Sequence, residues 1–344
     1  MKTLNVLYQS SSAYAIPAAV SILSLLENNK SIDVINIYYI DVGLTDEDRD
    51  KTREMIESYG RTVTFLNAAE TDKMLEDAGM ELWSGSYATF YKIFVCSGLD
   101  ELDRILYIDA DTVVLGSLEE LCDYDMDGYA AAMVGSGMTG ALKSFMKLPD
   151  YFNAGLIYYN LAYWREHKVK DAFLKAVKSS MAKKLTIVAD ETLNNYVMKG
   201  RIKKLPLKYN VESSWWLWGW NHKLYPYLGW NDPEDCYYTD EEIKDALDNP
   251  VIGHYVDLTT GRPWDKMNDN PRRKEFEKYL EMLHPWKEID FAMRGIGGNN
   301  MLIVGCKWLV KKMMPFSLRS RVGFKQHDKA WKDKIREYIY SSRG

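Results

Sequence analysis

The stretch Arg104-Ile105-Leu106-Tyr107-Ile108-Asp109-Ala110-Asp111-Thr112 decides how the chain is read. Residues 104 to 108 are the pattern of a short buried strand. It runs straight into two carboxylates spaced i, i+2. In extended backbone, residues two apart point to the same side. Both oxygens can therefore reach one hard cation at the carboxyl end of the strand. Elsewhere an Asp-x-Asp reads as a turn or a helix cap. Directly behind a buried strand it reads as a ligand pair.

Working outward, the flanking sequence alternates strands and helices. Leu4 to Tyr8, Asp33 to Ile40 and Thr62 to Leu66 read as strands, the second being β-branched and aromatic. Pro17 suits the first turn of a helix. Thr45 followed by Asp46, Glu47 and Asp48 is a helix N-terminus, with a capping hydroxyl and acids in the first turn. Tyr87 to Cys96 reads as a helix. Such alternation implies a largely parallel sheet covered on both faces. Ligands of these sheets lie beyond the carboxyl ends of the strands, so Asp109 and Asp111 stand where a site is expected. After Asp190 the pattern loosens: Trp215, Trp216, Trp218, Trp220 and Trp230 follow no period, and Pro271 to Leu283 looks helical. No internal repeat is visible.

The totals fit this picture. The chain has 344 residues, a formal net charge of −5, 47% hydrophobic and 27% charged residues, which is ordinary for a globular protein with one large domain or one domain and an appendage. Cys96, Cys122, Cys236 and Cys306 are widely spaced with no Cys-x-x-Cys pair, which reads as reduced thiols and not as a zinc site or disulfide framework. The apolar run Ala13 to Leu26 is interrupted by Ser21 and Ser24 and follows a polar stretch, so it reads as a buried helix and neither a membrane span nor a signal peptide. From residue 301 onward, eleven Lys and Arg oppose three acids, with Trp308, Phe316, Phe324 and Trp331 interleaved. A basic-aromatic tail on an acidic protein suits an anionic membrane surface; a solvated charged helix is the plainer reading. No nucleic-acid partner is expected.

Two further pieces carry chemistry. His254-Tyr255 ends the apolar run Val251-Ile252-Gly253, and one imidazole added to an oxygen-rich site suits Mn²⁺ better than Mg²⁺ or Ca²⁺. In Tyr151-Phe152-Asn153-Ala154-Gly155-Leu156-Ile157-Tyr158-Tyr159-Asn160, a polar Asn and two small residues open an apolar strand, where a ligand can approach the backbone closely.

Together these pieces resemble glycosyltransferase family 8, in particular its bacterial lipopolysaccharide galactosyl- and glucosyltransferases. The resemblance spans roughly residues 3 to 265 and rests on Asp109-Ala110-Asp111, on Phe152-Asn153-Ala154-Gly155 with Asn160 and Trp164, and on His254 to Trp264. It implies an α/β GT-A catalytic domain over residues 1–265; the remainder, 266–344, reads from its composition as a helical, basic-aromatic, membrane-associating region. It further implies a UDP-sugar donor, Mn²⁺ held by Asp109, Asp111 and His254 (with Mg²⁺ as the lesser choice), and hexose transfer with retention to a saccharide or lipid-linked saccharide acceptor. On that reading the enzyme is cytoplasmic and peripheral on the inner face of the plasma membrane.

This chain departs from the family pattern at several positions. Ser11-Ser12-Ala13-Tyr14 stands where the family has Asp-Asp-Asn-Tyr, so Tyr14 can stack on a base but the acidic contact is missing. Phe90-Tyr91-Lys92 stands where an Arg is usual, and Lys keeps the charge without the fork. Ala189-Asp190-Glu191-Thr192-Leu193-Asn194 replaces Asp-Gln-Asp-x-Leu-Asn. Gly261-Arg262-Pro263-Trp264 replaces Gly-Lys-Pro-Trp behind a longer loop. The expected donor site is Tyr14, Ser11, Ser12, Lys92, Asp109, Ala110, Asp111, Asn153, Ala154, His254, Gly261 and Arg262. The expected catalytic groups are Asp190, Glu191 and Asn153, with Arg262 and Lys92 at the phosphates. The tryptophans are either an acceptor platform or a satellite core.

Two rival readings remain. Gly135-Ser136-Gly137-Met138-Thr139-Gly140 matches the dinucleotide fingerprint and would make the chain an NAD(P)-dependent oxidoreductase. It lies mid-chain, however, and no acid ends the strand that follows. The other rival is a nucleotide-sugar-binding protein without activity.

Overall fold

The computed structural model describes residues 1–83, 85–136, 143, 146–179, 188–218, 237–256, 262–264 and 270–283, with the side chains of 217 and 218 excepted. Strands β1 (Thr3–Ser10), β2 (Val34–Asp41), β3 (Thr62–Asn67) and β4 (Arg104–Ile108) pair in parallel in the order β3-β2-β1-β4. Beyond β4 the sheet continues through β7 (Phe152–Asn160), β6 (Ala131–Gly135) and β8 (Ile202–Leu205). Strand β7 runs antiparallel to both its neighbours, so the sheet is mainly, not wholly, parallel.

Alternation along β4 divides the interior. Leu106 and Ile108 enter the core that also holds Leu4, Val6 and Tyr8, while Ile105 and Tyr107 enter the opposite core with Ile157 and Tyr159. Both faces are covered, as two buried cores require.

The first core is filled by α1 (Ala15–Asn28), buried along most of its length. Its two serines, which interrupt the apolar run, each have a partner. Ser21 Oγ lies 2.7 Å from Thr112 Oγ1, and Ser24 Oγ accepts from the Val114 amide at 2.8 Å. They fasten β5 (Thr112–Val114) over the sheet's carboxyl edge. There β5 joins β10 (Ile252–His254) and β9 (Val211–Glu212) in a small second sheet. The helix α2 (Asp46–Ser58) begins with the expected Thr45 cap, which forms a full capping box with Asp48.

The second core is covered by α3 (Ala69–Asp77), α4 (Ala88–Phe94), α6 (Leu161–Glu166), α7 (Val169–Val177) and α8 (Ala189–Val197); α5 (Glu119–Cys122) is a single short turn. The chain then forms α9 (Ser213–Trp218), α10 (Asp240–Asp248) and α11 (Arg273–Met282), the last within the span expected to be helical. Cys96 is buried and Cys122 half-buried, both as free thiols. No described helix is long and apolar enough to cross a membrane. The basic tail from 301, Gly137 to Gly140, Gly261, Trp220 and Trp230 lie outside the described residues.

Candidate active site

Asp109 follows β4 directly, and its amide donates to the Gly155 carbonyl at 2.8 Å. Asp111 comes two residues later, just before β5. His254 ends β10 opposite Thr112. The two sheets thus bring Asp109, Asp111 and His254 together at the carboxyl edge of the parallel strands. One ligand atom from each lies within 4.8 Å of the others. His254 Nε2 stands 3.3 Å from Asp111 Oδ1 and 3.7 Å from Asp109 Oδ2. Burial holds the His254 pKa below its ordinary value, against the opposing pull of Asp109. A neutral imidazole beside two carboxylates is the donor set of a divalent cation.

Gly155 makes room for that ring. A Cβ on Gly155 would fall 2.2 Å from His254 Cε1 and 2.6 Å from Nδ1, so only glycine fits there. Gly155 sits in an irregularity of β7, where the pairing with β6 jumps from Met133↔Ile157 to Val134↔Asn153. That bulge turns Asn153, Ala154 and Gly155 toward the site, as bulges beside sites often do.

Arg262 donates to Asp111 Oδ2 and, at 2.8 Å, to the Tyr255 carbonyl. Tyr14 meets Trp264 edge-on, with ring centroids 5.9 Å apart, and keeps a third of its surface exposed. The Ser12 hydroxyl is held in the neighbouring loop, accepting from Thr45 N at 2.9 Å and donating to the Gly43 carbonyl. Ser11 accepts from the Tyr14 amide through its carbonyl.

Lys92 lies deeper than a residue at the mouth of a phosphate site. It is 4% exposed, and its ammonium lies between Asp190 Oδ2 at 3.0 Å and Asp109 Oδ1 at 3.3 Å, over the Tyr107 ring. Burial alone would lower its pKa, but Asp109 and Asp190 together raise it well above the ordinary value. In return, Asp109 is drawn below the usual carboxylate range: burial opposes ionisation, and Lys92, His254 and the Tyr107 hydroxyl outweigh it. Asp190 is shifted upward by burial, which Lys92 and a 2.7 Å bond from Thr89 Oγ1 only partly offset.

Helix α8 carries Asp190 and Glu191. Asn195 clamps it to β7 by exchanging two 2.8 Å bonds with the Phe152 backbone. At its start Ala189 is held at φ +46°, a left-handed strain that such a clamp can sustain. Glu191 Oε2 accepts from Asn153 Nδ2 at 3.1 Å and Ala154 N at 3.3 Å. Asn153 Oδ1 accepts from Gly155 N and from Asn210 Nδ2, which fixes the amide.

Burial, then repulsion from Glu212 and Asp190, pushes the Glu191 carboxyl up to about 8. A carboxyl whose folded pKa is raised costs stability as pH climbs from its ordinary value, about 4.3, toward the folded one. Glu191→Gln keeps the acceptor and removes that cost. Its melting temperature relative to the parent should therefore rise steadily between pH 5 and pH 8. A constant difference across that range would contradict the assignment.

Sequence reasoning did not single out Tyr107, Thr89, Asn195, Asn210 or Glu212. Of the tryptophans, Trp215 is buried and Trp216 packs on Tyr255, so these two belong to the core.

The comparisons with known proteins agree with this geometry. A family model described as Glycosyl transferase family 8 matches residues 5–268. The chain belongs to glycosyltransferase family 8. It is 27% identical over 302 residues to a lipopolysaccharide 1,2-glucosyltransferase of Escherichia coli K12, covering 83% of this chain and 79% of that one. It is 29% identical to the glycosyltransferase GlyB of Streptococcus pneumoniae, of whose length it spans 49% while 65% of this chain is covered. Among solved structures it superposes on the galactosyltransferase LgtC with a TM-score of 0.65 at 18% identity, covering 83% of this chain and 99% of that one. The fold of this family 8 glycosyltransferase is therefore GT-A. The oxidoreductase reading falls: β6, which carries Gly135, is the sixth of seven strands in a glycosyltransferase sheet, antiparallel to β7 and next to the edge strand β8, and not the first strand of a dinucleotide-binding unit.

Proposed function

We propose that this glycosyltransferase transfers a hexose, galactose or glucose, from a UDP-sugar to a saccharide or lipid-linked saccharide in cell-surface polysaccharide synthesis, with retention and with Mn²⁺. The convergence of Asp109, Asp111 and His254 at the sheet's carboxyl edge carries the reading. The names of the relatives, lipopolysaccharide 1,2-glucosyltransferase among them, support the acceptor class. The family resemblance supports the donor and the retention.

Asp109, Asp111 and His254 would hold the ion, which when bound neutralises charge on the diphosphate as it leaves. Arg262, released from Asp111, would add a second positive charge there, with Gly261 beside it. Tyr14, braced by Trp264, would face the uracil, and Ser11 and Ser12 would line the same rim. Ala110 and Ala154 leave the backbone open to the donor. Asp190 and Glu191 would lie beneath the sugar, with Asn153 fixing Glu191. Lys92 acts from below, holding Asp190 and Asp109 in place. The basic region 301–344 would lay the enzyme on an anionic membrane surface.

The test is thermal melting with UDP, with and without Mn²⁺, against GDP and NAD⁺. A ligand at a hundredfold excess over its Kd stabilises by about 2.7 kcal/mol. A Mn²⁺-dependent shift with UDP is expected. A shift with GDP alone would move the base preference onto Ser11 and Ser12. No shift with any nucleotide would leave the donor assignment without support.

A further inference from the structure

Glu212 is a carboxylate buried to 95% to which the reading above gives no role. It sits on β9 in parallel register with His254 on β10. Residues in register on neighbouring strands stand side by side on one face, about 4.8 Å apart along the hydrogen-bonding direction. The His254 ring turns Nε2 to Asp109 and Asp111. Its other nitrogen, Nδ1, is buried and makes no hydrogen bond among the described residues. A ring nitrogen that binds a metal needs its partner nitrogen protonated and anchored.

The neutral acceptor near that edge is already occupied. A Cβ on Gly155 would lie 2.6 Å from Nδ1 and 2.9 Å from Asn153 Oδ1, so both border the same small space. Asn153 Oδ1 already accepts two N–H groups, from Gly155 and Asn210, which fills its two lone pairs. Glu212 is the carboxylate on the strand alongside. Its charge acts on the neighbours on both sides, favouring the proton on His254 and opposing ionisation of Glu191.

We infer that Glu212 is a positioning residue that anchors Nδ1–H of His254, so that the Nε2 lone pair is presented to the divalent cation between Asp109 and Asp111. The inference rests on the metal reading above. It adds that this chain places its outer carboxylate in a two-residue strand of the second sheet.

The experiment is a titration of the full chain with Mn²⁺ alone, without nucleotide, read by the loss of the free-ion signal in electron paramagnetic resonance. Melting of the metal-free protein is recorded alongside. Removing an outer partner of a metal ligand typically weakens binding roughly 10- to 100-fold. Glu212→Gln, which keeps an acceptor but no charge, should sit near the lower end, and the apolar Glu212→Met near the upper. The metal-free melting temperature of Glu212→Gln should hold or rise, because its repulsion of Glu191 is gone. That opposite movement separates positioning from a structural role, which would lower both. Wild-type binding that Asp111→Ala leaves untouched, or no wild-type binding at all, would overturn the metal reading and this inference with it. Wild-type binding that Asp111→Ala abolishes but Glu212→Gln and Glu212→Met leave unchanged would overturn this inference alone. A joint fall in melting temperature and affinity in Glu212→Gln would also overturn it.

Discussion

Asp111→Ala is expected to remove about 4 kcal/mol of transition-state stabilisation, roughly a thousandfold in kcat/KM, while the protein melts within a few degrees of the parent. The two halves of this expectation come from the same contacts. The Asp111 carboxylate meets His254 Nε2 at 3.3 Å and the Arg262 guanidinium. Neither partner is left as a buried orphan charge by its removal. The imidazole already favours its neutral form. Arg262 keeps its bond to the Tyr255 carbonyl and is partly open to solvent. The structural duty of Asp111, accepting from the Tyr255 amide, belongs to its backbone carbonyl and survives the substitution. Initial rates with UDP-galactose and UDP-glucose over a range of Mn²⁺ concentrations measure the effect. Near-native turnover by a folded Asp111→Ala protein would remove the metal site from the proposal. Asp109→Ala is a poorer experiment, since it also strips Lys92 of one of its two carboxylates.

The difference between those two aspartates marks the limit of what the sequence discloses. The i, i+2 spacing behind an apolar strand made both carboxylates legible, because alternation is a local property of extended backbone. The strands and helices of the first half were legible for the same reason. The small sheet of β5, β10 and β9 was not, since strands of two and three residues are too short to show a period. Glu212 and Asn210 were lost with it. In the sequence Lys92 reads as a charge for the phosphates. Its contacts in the fold depend on Asp190, 98 positions along the chain, and on Tyr107, which faces inward by the alternation of β4. In the sequence Gly155 reads as leaving space for a ligand, whereas the space it leaves is filled by the His254 ring. Such facts follow from which elements meet, and no window of sequence contains them.

Lys92→Met should be the most destabilising single change near the site, by about 3–5 kcal/mol, because it breaks a buried ion pair by removing one partner. The ammonium is shared by Asp109 and Asp190, so its loss leaves a buried carboxylate, Asp190, and a half-buried one, Asp109, to repel each other. The volume is nearly conserved, which keeps a packing defect from explaining the result. The pH dependence gives the cause away. In the parent, Asp109 has a folded pKa below its ordinary value, so its contribution is present above that value and is lost only as pH falls through the folded one. Without Lys92, burial of Asp190 and its repulsion by Asp109 are no longer offset, and the pair holds a proton to higher pH. Stability is then lost as pH rises, and returns as pH falls and the pair takes up a proton. The gap in melting temperature between parent and variant should therefore be wider at pH 8 than at pH 5. Adding Asp190→Asn to Lys92→Met should recover part of the loss, since it removes one of the stranded charges. If the gap were independent of pH and the second substitution merely added to the damage, Lys92 would be acting through packing alone, and the buried charge could not be what joins α8 to the end of β4.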